Sequence, residues 1–355
     1  MALDTNIFID SLIDKGYTHL CVVPCSFAKN VINAAINNKN IEYLPSASEA
    51  VACSIAAGLK MAGKKPIVIA QSSGLTNMGS CITSLLKPYG VIFPILISWR
   101  TYKDGDSEIQ HQHLATKLPE LIKAYGYEHT ILNVKDIDTV LSQIDTCDKT
   151  NTICIIKKDS FTKVELEAEY LFDLSNYIPR SKFLIDLNNK YKNTNTLFIG
   201  TTGNTAREMY SFMPDTDNFY MAGNMGGALS LGLGAALGGR KVIVCGGDAE
   251  FVMHMGGLTT AGRYQNLDLT YILFDNESNK STGGQNTYQS HLDYIKIAES
   301  SGLYTSNHTI TTLNDFNQSL EETNTLAFLH VKCSLDDETP RPPLDIVKVS
   351  EFING

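Results

Sequence analysis

The stretch GGDAEFVMHMGGLTTAGRYQNLDLTYILFDNESNKSTGG, residues 246–284, decides the fold of this chain. One apolar run, residues 241–245, leads into the stretch, and a second, residues 269–274, lies within it. A helix is predicted between the two runs, over about residues 250–263. A strand–helix–strand unit of this kind has parallel strands, so both strands end at the same edge of one sheet. The stretch therefore predicts an α/β fold.

Polar side chains follow both of these strands. Asp248 comes after two glycines at the end of the first run, and Asn276 comes after Asp275 at the end of the second. Open α/β proteins bind ligands at this edge, and carboxylate and amide oxygens are ligands for a hard divalent cation. Glycines on both sides let a phosphate approach the backbone. A divalent cation carrying a diphosphate is the expected occupant, and an acidic strand end with an ordinary Asx turn is the alternative.

Composition limits the classes of function. The 355 residues suit two domains, and 43% apolar content with a net charge of −9 indicates a globular protein without a basic stripe for nucleic acid. The eight cysteines form no C-x-x-C pair, which argues against zinc and iron–sulfur sites. The amino-terminal residues read as an amphipathic helix, and no apolar run approaches a membrane span. We expect a cytoplasmic protein with no membrane or nucleic-acid partner.

Helix and strand signals alternate along both halves of the chain, which predicts two parallel α/β domains. An acidic, polar stretch without clear periodicity separates the halves. The predicted division is a first domain at residues 1–165, a linker at 166–180 and a second domain at 181–355. The linker is too short to hold a third, central domain.

The motif Gly247-Asp248-Ala249, followed after twenty-five residues by Asp275-Asn276, resembles that of the thiamine diphosphate-dependent enzymes. Their pattern is Gly-Asp-Gly followed by Asn-Asn, so this sequence departs at Ala249 and at Asp275. The resemblance implies thiamine diphosphate and Mg²⁺, with Asp248, Asn276 and the Ser278 carbonyl as metal ligands. The positions implied to bind the diphosphate end are Gly247, Asp248, Ala249, Asn276, Ser278 and Thr282.

Glu49 stands near a predicted helix start, after the second predicted strand. A carboxylate there is often only a capping residue. The resemblance instead implies that Glu49 faces a ring nitrogen of the cofactor's aminopyrimidine and supports acid–base chemistry, which requires a poorly solvated carboxylate that shares a proton.

The sequence Gly223-Asn224-Met225-Gly226 predicts a tight turn that leads into a helix of small residues. The resemblance implies a second role for this turn. Met225 would hold the cofactor in a bent shape, and the Gly223 carbonyl would accept a hydrogen bond from its 4′-amino group, which brings the internal base close to the reacting carbon.

The two-domain length resembles those members of the family that decarboxylate phosphonopyruvate or sulfopyruvate. The segments that carry this resemblance are residues 23–27, 48–50, 71–77, 98–100, 108–111, 275–276 and 281–285. A substrate of this class carries a second anion at its far end, and the polar residues expected to meet the substrate are Ser26, Asn77, Arg100 and His111. A guanidinium binds two oxygens of a phosphonate at once. The alternative for Arg100 is an ion pair with Asp104 or Asp106.

The resemblance thus implies decarboxylation of 3-phosphonopyruvate to phosphonoacetaldehyde and carbon dioxide, in phosphonate biosynthesis. Sulfopyruvate decarboxylation, another thiamine diphosphate-dependent carboligation and a non-catalytic relative are the alternatives. It also implies a homo-oligomer with active sites at the subunit interface.

Overall fold

The protein is described from a computed structural model, which covers residues 2–101, 108–323, 325–334 and 339–342. The chain forms two units: Met1–Leu171 with Asn279–Asn286, here called unit 1, and Phe172–Ser278 with Thr287–Gly355, here called unit 2. The boundary at residues 171 and 172 falls inside the predicted linker. Each unit is built around one six-stranded parallel sheet, and the described residues contain no third domain, so the predicted fold class is confirmed.

The sheet of unit 1 has the order β2-β1-β3-β4-β6-β5, and all its strands are parallel. Its strands are β1 (His19–Val22), β2 (Glu42–Pro45), β3 (Pro66–Gln71), β4 (Ile95–Ser98), β5 (Glu128–Ile131) and β6 (Thr152–Ile156). Its helices are α1 (Thr5–Asp14), α2 (Lys29–Asn37), α3 (Glu49–Met61), α4 (Gly74–Asn77), α5 (Gly79–Cys81), α6 (Lys87–Tyr89), α7 (Gln112–Ala124) and α8 (Ile137–Cys147). A π-helical turn, Ile82–Leu86, joins α5 to α6.

The sheet of unit 2 has the order β13-β14-β10-β9-β7-β8 and is also parallel. Its strands are β7 (Thr196–Gly200), β8 (Asp217–Tyr220), β9 (Lys241–Gly247), β10 (Leu269–Asp275), β13 (Tyr304–Thr305) and β14 (Ala327–Lys332). Its helices are α9 (Arg180–Tyr191), α10 (Asn204–Phe212), α11 (Ala228–Leu237), α12 (Asp248–Phe251), α13 (Gly257–Ala261), α14 (Tyr294–Ser300) and α15 (Leu313–Glu322). Two short strands, β11 (Ser278–Asn279) and β12 (Gln285–Asn286), form a separate ribbon.

Both sheets are buried on both faces. Along β3, Ile67 and Ile69 pack into one apolar cluster, and Val68 and Ala70 pack into the cluster on the opposite face. Alternation of this kind is required because successive side chains of a strand point to opposite faces. Central strands covered on both faces read as continuous apolar runs, which explains why they are visible in the sequence.

Cysteines contribute to these cores as small apolar side chains. All eight are buried and free of disulfide bonds.

Among the residues that the structure describes, no helix combines the length and the apolar character that crossing a membrane would require.

The structure differs from the predicted elements at two kinds of position. The helix predicted over residues 250–263 is divided into α12, a 3₁₀ turn at Val252–His254 and α13. The glycines at the start of α13, Gly256 and Gly257, are poor helix formers and mark that division. The sequence predicts no strand at β5, β8 or β13. The residues of β5 and β8 are exposed or half-buried and form no continuous apolar run, and β13 has only two residues.

The largest fully buried side chain of unit 2 is charged. Arg180, at the first position of α9, donates from Nε and Nη2 to the two carboxylate oxygens of Glu208, at 2.8 and 2.7 Å. Its Nη1 donates to Thr205 Oγ1 at 2.9 Å. Arg180 and Glu208 are each 2% exposed. This bidentate pair connects α9 to α10 in a region without access to water. Loss of either partner therefore leaves the other as an uncompensated buried charge.

We predict that Arg180→Met lowers the free energy of unfolding by about 3–5 kcal/mol, because Glu208 would be left as an uncompensated buried charge. Arg240→Met is the matched control, since Arg240 pairs with Asp217 where both side chains are about a third exposed. Its cost is expected to stay within about 1 kcal/mol. Urea unfolding followed by circular dichroism measures both values, and equal losses in the two variants would contradict the assignment.

Candidate active site

The carboxylate of Glu49 is buried at the amino end of α3. Ser48 is the N-cap of this helix, and its Oγ accepts from the backbone N–H of Val51 at 3.5 Å. Glu49 is 5% exposed, and its Oε2 accepts from Nδ2 of Asn77 at 2.8 Å. The capping role therefore belongs to Ser48, and the structure brings together two of the predicted site residues, Glu49 and Asn77.

Space for Glu49 depends on a glycine. A Cβ atom at Gly74 would lie 2.4 Å from Glu49 Oε1 and 2.6 Å from its Cδ. Gly74 opens α4, the same short helix that ends at Asn77. The turn after β3 thus contributes both the room for the Glu49 carboxylate and the amide that orients it.

A second polar group at the carboxyl edge of this sheet centres on Arg100, which follows β4 and is 7% exposed. Its Nη1 donates to Ser26 Oγ at 3.3 Å and to Gln71 Oε1 at 3.2 Å. The guanidinium carbon also lies 4.7 Å from the centre of the Phe27 ring, a cation–π distance. The predicted residues Ser26 and Arg100 therefore meet, and Gln71 and Phe27 are added to them.

Glu108 connects Arg100 to His111. Its Oε2 lies 3.1 Å from Arg100 Nη2 and 3.2 Å from His111 Nε2. The same oxygen accepts from Gln110 Nε2 at 2.9 Å. Arg100 thus pairs with a carboxylate, but with Glu108; Asp104 and Asp106, the alternatives weighed from the sequence, lie outside the described residues.

Asp248 is the corresponding buried carboxylate of unit 2. It follows β9, is 3% exposed, and its Oδ1 accepts from the backbone N–H of Ala249 at 2.9 Å. Its Oδ2 is buried, and no donor among the described residues reaches it. Burial raises the pKa of Asp248, and the nearby carboxylate of Asp275 raises it further. Two adjacent buried carboxyl groups with an unmatched oxygen fit a cation.

Asp275 has the opposite electrostatic environment. Burial acts to raise the pKa of Asp275, but the hydrogen bond with His330 and the ammonium of Lys332 outweigh it and lower the pKa to about 2. His330 Nε2 and Lys332 Nζ each lie 3.0 Å from Asp275 Oδ2. Asp275 is therefore held as an anion, beside an Asp248 that has no such partners among the described residues.

The turn after β10 presents Asn276 and Ser278. The backbone N–H of Ser278 donates to Asn276 Oδ1 at 3.0 Å, so the Asx turn considered from the sequence is present. An amide oxygen has a second lone pair, and this bond leaves it able to bind a metal. Asn276 is 6% exposed and follows the strand beside the one that precedes Asp248.

The glycines of the motif have different structural requirements. A Cβ atom at Gly246 would lie 2.0 Å from the hydroxyl oxygen of Tyr271, whereas at Gly247 the nearest heavy atom, Thr205 Oγ1, is 3.9 Å away. Gly246 makes room for a side chain, whereas at Gly247 a Cβ atom would meet only ordinary van der Waals contacts. Ala249 is accommodated because it lies inside α12, whose helical backbone does not require glycine.

Glu250 connects this motif to the Met225 turn. Its carboxylate accepts from the Tyr271 hydroxyl at 2.9 Å and from the backbone N–H of Ala228, the first residue of α11, at 3.4 Å. Gly226, in the turn that precedes α11, has a φ of +91°, and a Cβ there would approach Met253 Cβ to 2.9 Å. The turn with Gly223 and Met225 is therefore packed against the helical segment that follows Asp248.

Thr282 lies in the segment Asn279–Asn286, which groups with unit 1. Its hydroxyl donates to the backbone oxygen of Asn279 at 3.1 Å. In the same segment Gln285 is fully buried, and its Nε2 donates to Asn33 Oδ1 of α2 at 2.8 Å. The role predicted for Thr282 in cofactor binding stays a prediction.

Both units match models of one family. Residues 5–115 match the amino-terminal TPP binding domain of thiamine pyrophosphate enzymes, and residues 199–331 match the carboxyl-terminal TPP binding domain. The chain belongs to the thiamine pyrophosphate enzyme family. Thiamine pyrophosphate is thiamine diphosphate under its other name, so the cofactor expected from the sequence is supported by both domains.

Three relatives indicate which branch of this family the chain resembles. A phosphonopyruvate decarboxylase of Streptomyces viridochromogenes is 28% identical over 346 residues, 88% of this chain and 83% of the relative. A sulfopyruvate decarboxylase of Methanosarcina acetivorans is 26% identical, over 79% of this chain and 77% of its own. The sulfopyruvate decarboxylase subunit alpha of Methanocaldococcus jannaschii is 32% identical over 130 residues, 37% of this chain and 70% of the subunit.

The described residues fit the cofactor of this family. Asp248 offers a buried oxygen that no donor among the described residues reaches, and Gly247, directly before it, has no side chain to block the backbone. A buried carboxylate, Glu49, stands at the carboxyl edge of the other sheet. In unit 2, the Asp248 carboxylate suits a cation that carries a diphosphate. In unit 1, the Glu49 carboxylate suits a ring nitrogen with which it can share a proton.

Several residues of the candidate site were not selected from the sequence. Glu108, Gln71 and Phe27 join the Arg100 group, and His330 and Lys332 join Asp275. A signal existed for the last two, because His330 and Lys332 alternate along an otherwise apolar run, and polar residues inside a buried strand require partners. Glu108 lies in one of the segments that carry the family resemblance, residues 108–111, but nothing in the sequence indicates that its carboxylate contacts Arg100.

We predict that Gly74→Ala lowers thiamine diphosphate-dependent turnover at least about tenfold while the protein stays folded, because the added methyl group displaces the Glu49 carboxylate. Gly58→Ala is the matched control: it lies in α3, and a Cβ there would meet nothing within 4 Å. Turnover at saturating cofactor and the thermal midpoint measure the two variants. Full activity in Gly74→Ala would show that turnover does not depend on the position of the Glu49 carboxylate.

Proposed function

We propose that the protein is a thiamine diphosphate- and Mg²⁺-dependent carboxy-lyase that converts 3-phosphonopyruvate to phosphonoacetaldehyde and carbon dioxide. One observation carries the choice of substrate class: a buried arginine, Arg100, lies at the same sheet edge as Glu49. A 2-oxo acid with a second anion requires a cation of this kind. The phosphonopyruvate decarboxylase of Streptomyces viridochromogenes, which is similar over most of its length, supports the same choice.

The chain's own residues have distinct roles in this proposal. Asp248, Asn276 and the Ser278 carbonyl hold Mg²⁺ and, through it, the diphosphate; Gly223 and Met225 support the ring system. When bound, the thiazolium ring supplies the electron sink that cleavage of a 2-oxo acid requires.

Glu49 holds and returns a proton at the aminopyrimidine ring. Its burial keeps water from that proton, and the hydrogen bond from Asn77 fixes which oxygen is available. General acid–base steps of this kind contribute about 10²–10⁴-fold to rates.

Arg100 binds the distal phosphonate. Nη1 is oriented by Ser26 and Gln71, and Nη2 by Glu108. Glu108 also lies beside His111, so the imidazole and the guanidinium are held as one group. A guanidinium fixed in this way is preorganised, which reduces the entropy lost when it binds an anion.

Sulfopyruvate is the second candidate substrate, because similar proteins include sulfopyruvate decarboxylases. A sulfonate carries one negative charge where a phosphonate carries up to two. The same cationic group would accept either anion.

The proposal includes a cytoplasmic homo-oligomer whose active sites form between subunits, with a role in phosphonate biosynthesis. Val51 and Ile55, exposed apolar residues on the helix that begins with Glu49, support a subunit contact at this helix.

We predict that the purified protein releases carbon dioxide from phosphonopyruvate with a kcat/KM at least about tenfold above those for sulfopyruvate and pyruvate. Glu49→Gln should lose about 10²–10⁴-fold in kcat, because the amide cannot take up a proton. Glu42→Gln, which alters an exposed carboxylate on β2, is the control. Higher activity on sulfopyruvate would transfer the assignment to that substrate, and near-normal turnover in Glu49→Gln would exclude the acid–base role.

We predict that Asp248→Asn weakens Mg²⁺-dependent binding of thiamine diphosphate by at least about tenfold, because the buried anionic ligand is lost. Asp268→Asn, at the opposite edge of the same sheet and half-exposed, is the control. Calorimetric titration of the cofactor, with and without Mg²⁺, measures the effect. Unchanged binding in Asp248→Asn would rule this residue out as a metal ligand.

A further inference from the structure

Unit 2 contains a second charged group next to the metal motif, which the proposed function does not use. Asp275 is 5% exposed, and Lys332 and His330 are each 9% exposed. All three lie at or near the carboxyl ends of β10 and β14, where the neighbouring residues of both strands are apolar. Charged side chains in such a place are costly unless they serve each other or a ligand.

Strand register brings these residues to the end of the metal-binding strand. Asp275 is the last residue of β10 and is paired directly with Lys332 on β14, while His330 is paired with Leu273 two positions earlier. On the other side of β10, Phe274 is paired with Gly247, so Asp275 stands beside Asp248. The ion pair therefore joins β14 to the end of β10, beside the predicted metal ligands Asp248 and Asn276.

Every polar atom of Asp275 is bonded. Its Oδ2 contacts both Lys332 Nζ and His330 Nε2, its Oδ1 accepts from the Glu277 N–H at 3.1 Å, and its backbone oxygen accepts from the Cys333 N–H at 3.0 Å. Asp275 is thereby fixed in place. The residue after it, Asn276, is left to face the metal.

Lys332 also holds the next part of the turn. Its Nζ contacts the Glu277 carboxylate as well as Asp275. Glu277 has a φ of +51°, a left-handed conformation that is unfavourable for a residue other than glycine. One ammonium group therefore bridges the residues on both sides of Asn276 and stabilises the strained turn that presents the Ser278 carbonyl.

We propose that Lys332, acting through Asp275 and Glu277 and supported by His330, is a positioning residue that sets the geometry of the metal-binding turn, residues 275–278. The proposal rests on the proposed function, because the turn matters only if Asn276 and Ser278 bind Mg²⁺. It also accounts for the acid at position 275, where the family pattern has asparagine: the added negative charge is matched by Lys332 on the neighbouring strand.

The two charges should depend on each other. Lys332→Met keeps most of the length of the side chain but removes the ammonium that matches the Asp275 carboxylate beside Asp248. Asp275→Asn restores the family's amide and removes the charge that Lys332 matches. The double variant Asp275→Asn/Lys332→Met removes both charges and should therefore bind cofactor better than Lys332→Met alone.

Calorimetric titration of thiamine diphosphate, at fixed Mg²⁺, tests this in the full-length protein. Lys332→Met is expected to weaken binding by about 10–100-fold, the scale of residues that orient metal ligands. Lys332→Arg should stay within about threefold of wild type, because it keeps the charge, and Asp275→Asn/Lys332→Met should recover about tenfold or more relative to Lys332→Met. Lys241→Met, at the opposite end of the same sheet and paired with Asp268, is the control and should bind as wild type does.

The outcomes separate this proposal from the proposed function. The positioning role is supported if wild type and Lys241→Met bind the cofactor, Lys332→Met binds it more weakly, and the double variant recovers affinity. If wild type binds the cofactor and Lys332→Met binds it as tightly as Lys241→Met does, the positioning role is overturned. A double variant that binds no more tightly than Lys332→Met overturns it as well. Neither result contradicts the proposed function. No binding by wild type overturns both. If Lys332→Met does not fold, the double variant decides: folded protein that binds within about tenfold of wild type supports the role, and any other result overturns it.

Discussion

The carboxylate of Asp248 is buried with one oxygen that no described residue satisfies, and the organisation of unit 2 follows from this constraint. A buried anion is tolerated only where a positive charge compensates it. Unit 2 places Asn276 at the end of the adjacent strand and a glycine, Gly247, directly before Asp248. The parallel sheet makes this possible, because all its strands end at one edge and their terminal residues converge there.

Unit 1 has the same architecture as unit 2 but carries different functional groups at its sheet edge. Its sheet edge holds a carboxylate, Glu49, that is kept from water and oriented by an amide, and a guanidinium, Arg100, that is oriented by three oxygen acceptors. The first group suits proton transfer and the second suits recognition of an anion. Two copies of one fold thus carry different chemistry because different residues follow equivalent strands.

The sequence predicted those parts of the structure that depend on local pattern. The runs at residues 241–245 and 269–274 correspond to β9 and β10, since central strands covered on both faces are apolar throughout. The motif after these strands gave Asp248 and Asn276. The edge strands β5 and β8 escaped prediction because partial exposure removes the continuous apolar run.

What the sequence could not supply were contacts between distant residues. The pairing of Asp275 with Lys332 spans 57 positions, and no helix or strand periodicity links Arg100 with Glu108. Glu49 was selected only through family resemblance, because a carboxylate at a helix start is common. Its distinguishing features, burial and the amide of Asn77, are properties of packing between α3 and the turn after β3.

The space at Gly74 links two positions in the history of this family. As long as the Glu49 carboxylate occupies that space, position 74 cannot accept even a methyl group, although its backbone does not have the positive φ that would itself call for glycine. A lineage in which the acid is replaced by a smaller residue is released from this restriction, and larger side chains can accumulate at position 74. A larger residue at position 74 of a related sequence would therefore indicate that no acid occupies this space.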